Sequence, residues 1–176
     1  MVKAVIINGN NKKVSRLTGI HYYIQDFLEK EGISTSSIFV HELPAEDLIT
    51  ANFASEEIAK ANKKVADAEI VFILTPIFKA SYTGILKTFL DLIPQKGLEN
   101  KKVVPIAIGG SIGHLLAIEY ALKPVISVLG ATEIFNTVFV LDQQVERLEN
   151  GEYKIQGVVL ERLNAELERF QLNLIK

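Results

Sequence analysis

The chain alternates short apolar runs with amphipathic stretches, and the change of period separates its elements. Val2, Ala4, Val5, Ile6 and Ile7 form an almost unbroken β-prone run, the pattern of a strand covered on both faces. Asn8, Gly9, Asn10 and Asn11 stop it with turn formers. Ser15 stands where a helix N-cap belongs, and Leu17, Ile20, Ile24, Phe27 and Leu28 recur at helical spacing until Gly32. A second strand is predicted over 36–42. Only Ile38 and Val40 alternate there, which suits a sheet edge. Residues 43–53 read as irregular, with Pro44 and Asp47 among them. Ser55 then caps a helix whose first turn holds Glu56 and Glu57, beside the positive end of its dipole.

The stretch 69–94 has the densest pattern. A strand is predicted over 70–74, a polar loop over 75–84, and from Gly84 a helix with Ile85, Leu86, Phe89 and Leu90 that Pro94 closes. A further apolar strand over 103–108 ends at Gly109, Gly110 and Ser111. A helix over 113–129 stops at Gly130, and a fifth strand covers 134–141. Asn150-Gly151 marks a tight turn or small hairpin. The last helix sets Leu160, Leu163, Leu167, Phe170 and Leu174 on one stripe. Five strands alternating with helices predict an α/β fold, a doubly wound five-stranded parallel sheet. The flavodoxin-like order 2-1-3-4-5 puts the weak second strand at an edge. No repeat or linker intervenes, so residues 1–176 read as one domain. Ligands of such sheets bind at the carboxyl ends of the strands, here between the loops after the first and third, with the loop after the fourth beside them.

Composition removes several classes. At 176 residues, 48% hydrophobic and 23% charged, the chain is globular rather than disordered. A net charge of -2 offers no basic field for nucleic acid. The absence of cysteine rules out disulfides, thiolate catalysis and cysteine metal sites. Every apolar run falls short of the roughly 20 residues that span a bilayer. The start at Met1 lacks the pattern of a signal peptide. A soluble cytoplasmic chain without a membrane partner is the expectation.

Three loops carry candidate chemistry. The first has Gly9, Asn10, Lys12, Lys13, Ser15 and Arg16 at a helix N-terminus, a combination that suits a phosphate. It matches neither the dinucleotide fingerprint nor a P-loop, so a phosphomonoester fits better than a triphosphate. Taken alone, it reads equally well as a solvated turn. The second loop offers Pro76, Ile77, Phe78, Lys79, Ser81 and Tyr82 to a planar ring with polar edges. In the third, Gly110 and Ser111 let backbone approach a ligand closely. His21, His41 and His114 find no acid–base partner in the sequence: His21 reads as structural or surface, His41 as unpartnered, His114 as a packing or capping residue. With no catalytic triad, carboxylate pair or metal-ligand spacing, the chemistry falls to a cofactor.

Two blocks, TPIFKASYTGILKTFLDLIP (75–94) and GGSIGHLLAIEYALKPVISVLGA (109–131), resemble NADPH-dependent FMN reductases of the type associated with alkanesulfonate monooxygenases. The resemblance implies one FMN-binding domain over 1–176, with hydride passing from NADPH or NADH to FMN and reduced flavin passing to a partner monooxygenase. It maps Asn10, Lys12, Ser15 and Arg16 to the FMN phosphate. Pro76, Ile77, Phe78 and Lys79 border the isoalloxazine, and Gly110 and Ser111 flank it. No catalytic side chain is implied. The first loop departs from the usual Gly-Ser-Pro-Arg, because Asn10, Asn11 and Lys12 follow Gly9, and a lysine lacks the arginine fork. Around the fourth helix Leu115, Leu116, Ile118, Leu122, Val125 and Val128 leave little polar face, which points to burial against another subunit, and the resemblance implies a homodimer or homotetramer. The resemblance implies a π-helical bulge at Tyr120, where Pro124 removes a hydrogen bond; a simple kink is the alternative. Other functions left open are a quinone or azo reductase holding its FMN, a flavodoxin-like electron carrier, and a flavin-binding regulator without turnover.

Overall fold

A computed structural model describes residues 2–174, with side chains described as far as Phe170. Met1 and the side chain of Leu174, the last of the predicted stripe, lie outside the described residues. In chain order the elements are β1 (Lys3–Asn8), α1 (Arg16–Lys30), β2 (Ser34–Phe39), α2 (Ala45–Ile49), α3 (Glu56–Asp67), β3 (Ile70–Phe78), β4 (Ser81–Tyr82) and α4 (Gly84–Leu90). There follow β5 (Lys102–Gly109), a π-helix (Ile118–Leu122), α5 (Lys123–Val128), β6 (Glu133–Ile134), β7 (Val138–Leu141), β8 (Val145–Arg147), β9 (Tyr153–Ile155) and α6 (Gly157–Leu174).

The main sheet runs β2-β1-β3-β5-β6, with β7 also beside β5 and β4 folded back on β3. The pairings of β1, β2, β3, β5, β6 and β7 are all parallel. With β6 and β7 as one interrupted fifth strand, this is the expected flavodoxin-like order. Alternate residues of each strand feed two cores, which explains the unbroken apolar runs. Val5, Ile7, Val71, Ile73 and Val103 face α3, α4 and the π-helix. Ala4, Ile6, Phe72, Leu74 and Ile106 face α1 and α6, where Leu163, Leu167 and Phe170 complete the layer.

The caps are as the sequence predicts. Ser15 Oγ accepts from Thr18 N at 3.3 Å, and Ser55 Oγ from Ile58 N at 3.4 Å. Gly32 ends α1 at φ +72, where a side chain would be strained.

Six expectations need correction. The second strand covers Ser34–Phe39 rather than 36–42, because Val40–Glu42 close into a single 3-10 turn in which Leu43 N donates to Val40 O at 3.1 Å. The third strand does not stop at Leu74 but continues through Thr75, Pro76, Ile77 and Phe78, so the open loop is half its predicted length. Pro76 is tolerated there because β1 pairs with β3 only as far as Leu74. Beyond that point no β1 acceptor awaits an N–H. The fifth strand is broken between Ile134 and Val138. The break faces Pro105 on β5, which has no N–H to give to the ladder. The helix over 113–129 starts late, after a 3-10 turn at Ile112–His114, and the π-helical bulge at Tyr120 that the resemblance implied is present, in place of a simple kink. Pro124 cannot donate to the carbonyl of Tyr120, and the chain responds with a π-helix in which Lys123 N donates to Ile118 O. Residues 43–53, read as irregular, contain α2. Finally, α4 ends at Leu90 rather than at Pro94. Single tight turns, Leu92 N to Phe89 O and Ile93 N to Leu90 O, carry the chain on, since a residue before proline avoids the helical region.

Candidate functional site

The carboxyl ends of β1, β3, β5 and β7 open into a cavity of about 440 Å³. That falls inside the roughly 300–1,000 Å³ of small-molecule sites. Asn10, Lys12, Val14, Ser15, Arg16 and Leu17 line one wall, Pro76, Phe78 and Ile108 the floor, and Asp142 and Arg147 the far side. Six of the ten predicted site residues therefore meet here: Asn10, Lys12, Ser15, Arg16, Pro76 and Phe78. Ile77, Lys79, Gly110 and Ser111 are not in the lining. Strand alternation sends Ile77 the other way, to pack on the core shared with α4. Lys79 sits exposed at the tip of the β3–β4 hairpin. Gly110 lies on the rim, where a Cβ would stand 3.6 Å from Asp142 Oδ2. Ser111 caps the turn that follows, accepting from Gly113 N at 3.2 Å.

The first loop is held from beneath. Asn8 Oδ1 accepts from Asn10 N at 3.1 Å, and Asn10 Oδ1 accepts from Asn11 N at 2.8 Å. Asn8 Nδ2 donates to His21 Nδ1 at 3.4 Å, which leaves the ring proton on Nε2 to donate to Ser37 Oγ at 2.8 Å. The His21 ring stacks on Phe39 at 4.6 Å. Burial, with the charge of Lys13 adding to it, pulls the His21 pKa down to about 4, so the ring stays neutral. The predicted structural role of His21 fits this placement. His41, expected to lack a partner, has one: its Nδ1 lies 3.2 Å from Asn10 O.

Two further ties join the first loop to the second. Gly9 N donates to Leu74 O at 2.8 Å, and the hydroxyl of Thr83 donates to Gly9 O at 2.5 Å while capping α4. A Cβ at Gly9 would come within 2.7 Å of Leu86 Cβ, so glycine is what lets β1 cross α4 this closely.

Among the described residues, no backbone N–H from residue 12 to residue 17 donates to a protein acceptor. Six consecutive donors thus crowd the N-terminus of α1, beside Lys12 and Ser15. An anion with several oxygens, such as a phosphomonoester, fits this donor set. Pro76, Phe78 and Ile108 supply an apolar floor beyond it, of the kind a planar ring lies on. The residues that line the cavity thus fit a phosphate-bearing planar cofactor such as FMN. No group of acidic or histidine residues able to hold a metal occurs among the described residues.

Sequence reasoning did not find Val14, Leu17, Ile108, Asp142 or Arg147. Ile108 closes a strand already placed on the rim, so its position was within reach. Asp142 and Arg147 follow the fifth strand, and only the three-dimensional path of β8 brings them to the cavity.

Comparison with known proteins agrees with this geometry. The family model for NADPH-dependent FMN reductase matches residues 2–146. The FMN reductase (NADPH) of Pseudomonas putida is 39% identical over 173 residues, 98% of this chain and 88% of the relative. That of Escherichia coli is 36% identical over 144 residues, covering 82% and 75% respectively. A crystal structure of the NADH:FMN oxidoreductase EMOB in its apo form superposes with a TM-score of 0.85. It is 29% identical in sequence and covers 98% of this chain and 90% of that one. With the strand order, the anion-ready first loop and a match across most of its length, the chain belongs to the NADPH-dependent FMN reductase family.

Proposed function

We propose that this chain is an NAD(P)H:FMN oxidoreductase, a single FMN-binding domain over residues 1–176. The observation that carries the proposal is the cavity, bordered by the first loop with its unengaged N–H groups and floored by apolar residues, in a member of this family. When bound, flavin supplies the chemistry by accepting hydride from a reduced nicotinamide. The chain's own part is to bind, orient and exclude water. Lys12, Ser15, Arg16 and the N–H groups of the first loop hold the phosphate, and Asn10 fixes the loop that presents them. Pro76 and Phe78 bear the ring, with Ile77 supporting them from behind. Lys79, Gly110 and Ser111 form its outer rim. No side chain acts as a general acid or base, since hydride transfer to a flavin asks for position rather than for a proton relay.

Passage of reduced flavin to a partner monooxygenase, in a cytoplasmic setting where reduced nicotinamide is at hand, completes this reading. A homodimer or homotetramer through the helix around Tyr120 belongs to it as well. Ile112, Leu116, Tyr120 and Val128 are exposed along that face, Tyr120 by 79% and Val128 by 83%. Exposed apolar surface of this kind marks an association site.

The test is steady-state oxidation of NADPH and of NADH with and without added FMN. FMN-dependent turnover is expected. No oxidation with either nucleotide would sink the proposal, and a yellow protein that instead turns over quinones would move it to a quinone reductase.

A further inference from the structure

We propose that Arg147, on the β8–β9 hairpin, is a phosphate ligand that closes over the N-terminus of α1 from the far side of the cavity. The inference rests on the FMN-binding reading above and adds a residue to it. Arg147 lies just past the stretch, 2–146, that the family model matches.

The hairpin is a fixed wall and not a loose flap. Arg16 Nε donates to Val145 O at 2.9 Å, tying the first turn of α1 to β8. One turn further along, Gly19 admits the Tyr153 ring of β9 so closely that a Cβ there would stand 2.6 Å from Tyr153 Cγ. Val145 and Tyr153 bracket the hairpin, and Arg147 pairs with Tyr153 across it. Both anchors belong to the helix whose N-terminus lines the cavity. Arg147 is thereby registered against that N-terminus.

Its charge is unspent. Among the described residues, the Arg147 guanidinium has no hydrogen bond and no ion pair. Asp142 lines the same cavity, but the two form no salt bridge. Lys13, outside the lining, pairs with Glu42 at 3.6 Å, and Arg16 on the opposite wall has given its Nε to the hairpin backbone. Lys12 is a point charge. The planar fork that matches two phosphate oxygens at once is best supplied by Arg147. A dianion between the walls would meet N–H groups and Lys12 on one side and this guanidinium on the other. Asp142, near Gly110, repels it from the ring end.

The shared chemistry is a phosphomonoester, and two molecules in the proposed reaction carry one: FMN, on its ribityl chain, and NADPH, on its adenosine ribose. The position at α1 assigns it to FMN. Riboflavin, which is FMN without the phosphate, separates recognition of phosphate from recognition of the ring.

The experiment compares wild type, R147Q and R147K in fluorescence titrations with FMN and with riboflavin. Steady-state KM values for NADPH and NADH are measured alongside. The expected result is an FMN affinity lowered about tenfold in R147Q and less in R147K, with riboflavin affinity and the NADPH-to-NADH preference unchanged. Equal weakening of both flavins would show a merely structural hairpin and overturn the inference. So would unchanged FMN affinity, or a lost NADPH preference with FMN affinity intact, which would assign the phosphate to the dinucleotide. A wild type that binds neither flavin overturns the function proposed above and this inference with it. A wild type that prefers FMN, beside an R147Q variant that prefers it equally, overturns this inference alone.

Discussion

His21 shows how one side chain can bear on a site it never touches. It is fully buried, neutral, and joined through Asn8 to the backbone of Asn10. With a pKa lowered to about 4 in the fold and near 6.5 in the unfolded chain, the unfolded state alone takes up a proton between those limits. Stability contributed by the neutral ring is therefore full above pH 6.5 and falls as the pH drops toward 4. The loss is on the order of 3 kcal/mol. Urea midpoints measured from pH 7 to pH 4 should fall accordingly, and His21→Gln should flatten that part of the profile. The sequence showed His21 on a helix but not its partners, because Asn8 and Ser37 come from separate strands. His41 was misread for the same reason: its partner is a backbone carbonyl 31 residues away.

At the scale of elements, local rules read what was local. Ser15 and Ser55 cap helices by bonds to residues three positions on, so the sequence contained both partners. What it hid were elements shaped by a neighbour. The break in the fifth strand is caused by Pro105 on the adjacent one, and the persistence of β3 through Pro76 by the end of β1. The β3–β4 hairpin turns through Lys79 and Ala80, both left-handed at φ 50 and 63, with neither a glycine nor an asparagine to signal it. Such residues cost about 1–2 kcal/mol each in that region. Ala80→Gly should thus raise stability by about 0.5–1 kcal/mol after the extra freedom of glycine in the unfolded chain is counted. Thermal unfolding measures it, and a lowered midpoint would contradict the turn described.

At the scale of the molecule, the parallel sheet and both its layers were legible because the central strands β1, β3 and β5 are apolar on two faces while β2 is not, which marks it as an edge. The first loop was legible too, as was the floor of the cavity at Pro76 and Phe78 though not at Ile108. Its far wall was not, since β8 and β9 are short, polar and placed by contacts with α1. The exposed row at Ile112, Leu116, Tyr120 and Val128 was visible as a helix short of polar residues. If that row is covered by a second copy, Tyr120→Asp should shift the protein to a smaller species in sedimentation velocity while leaving the fold intact. An unchanged sedimentation coefficient would place the contact elsewhere.

The six unengaged N–H groups at residues 12 to 17 have a consequence for how this protein tolerates change. Main chain is common to every residue but proline, so the loop offers the same donors whatever side chains stand on it. The motif by which one would search for such a site is then free to drift while the site persists. A library randomised at Asn11, Lys13 and Val14 should keep flavin binding in most clones. The losses should concentrate in proline, which deletes a donor, and in aspartate and glutamate, which repel the phosphate.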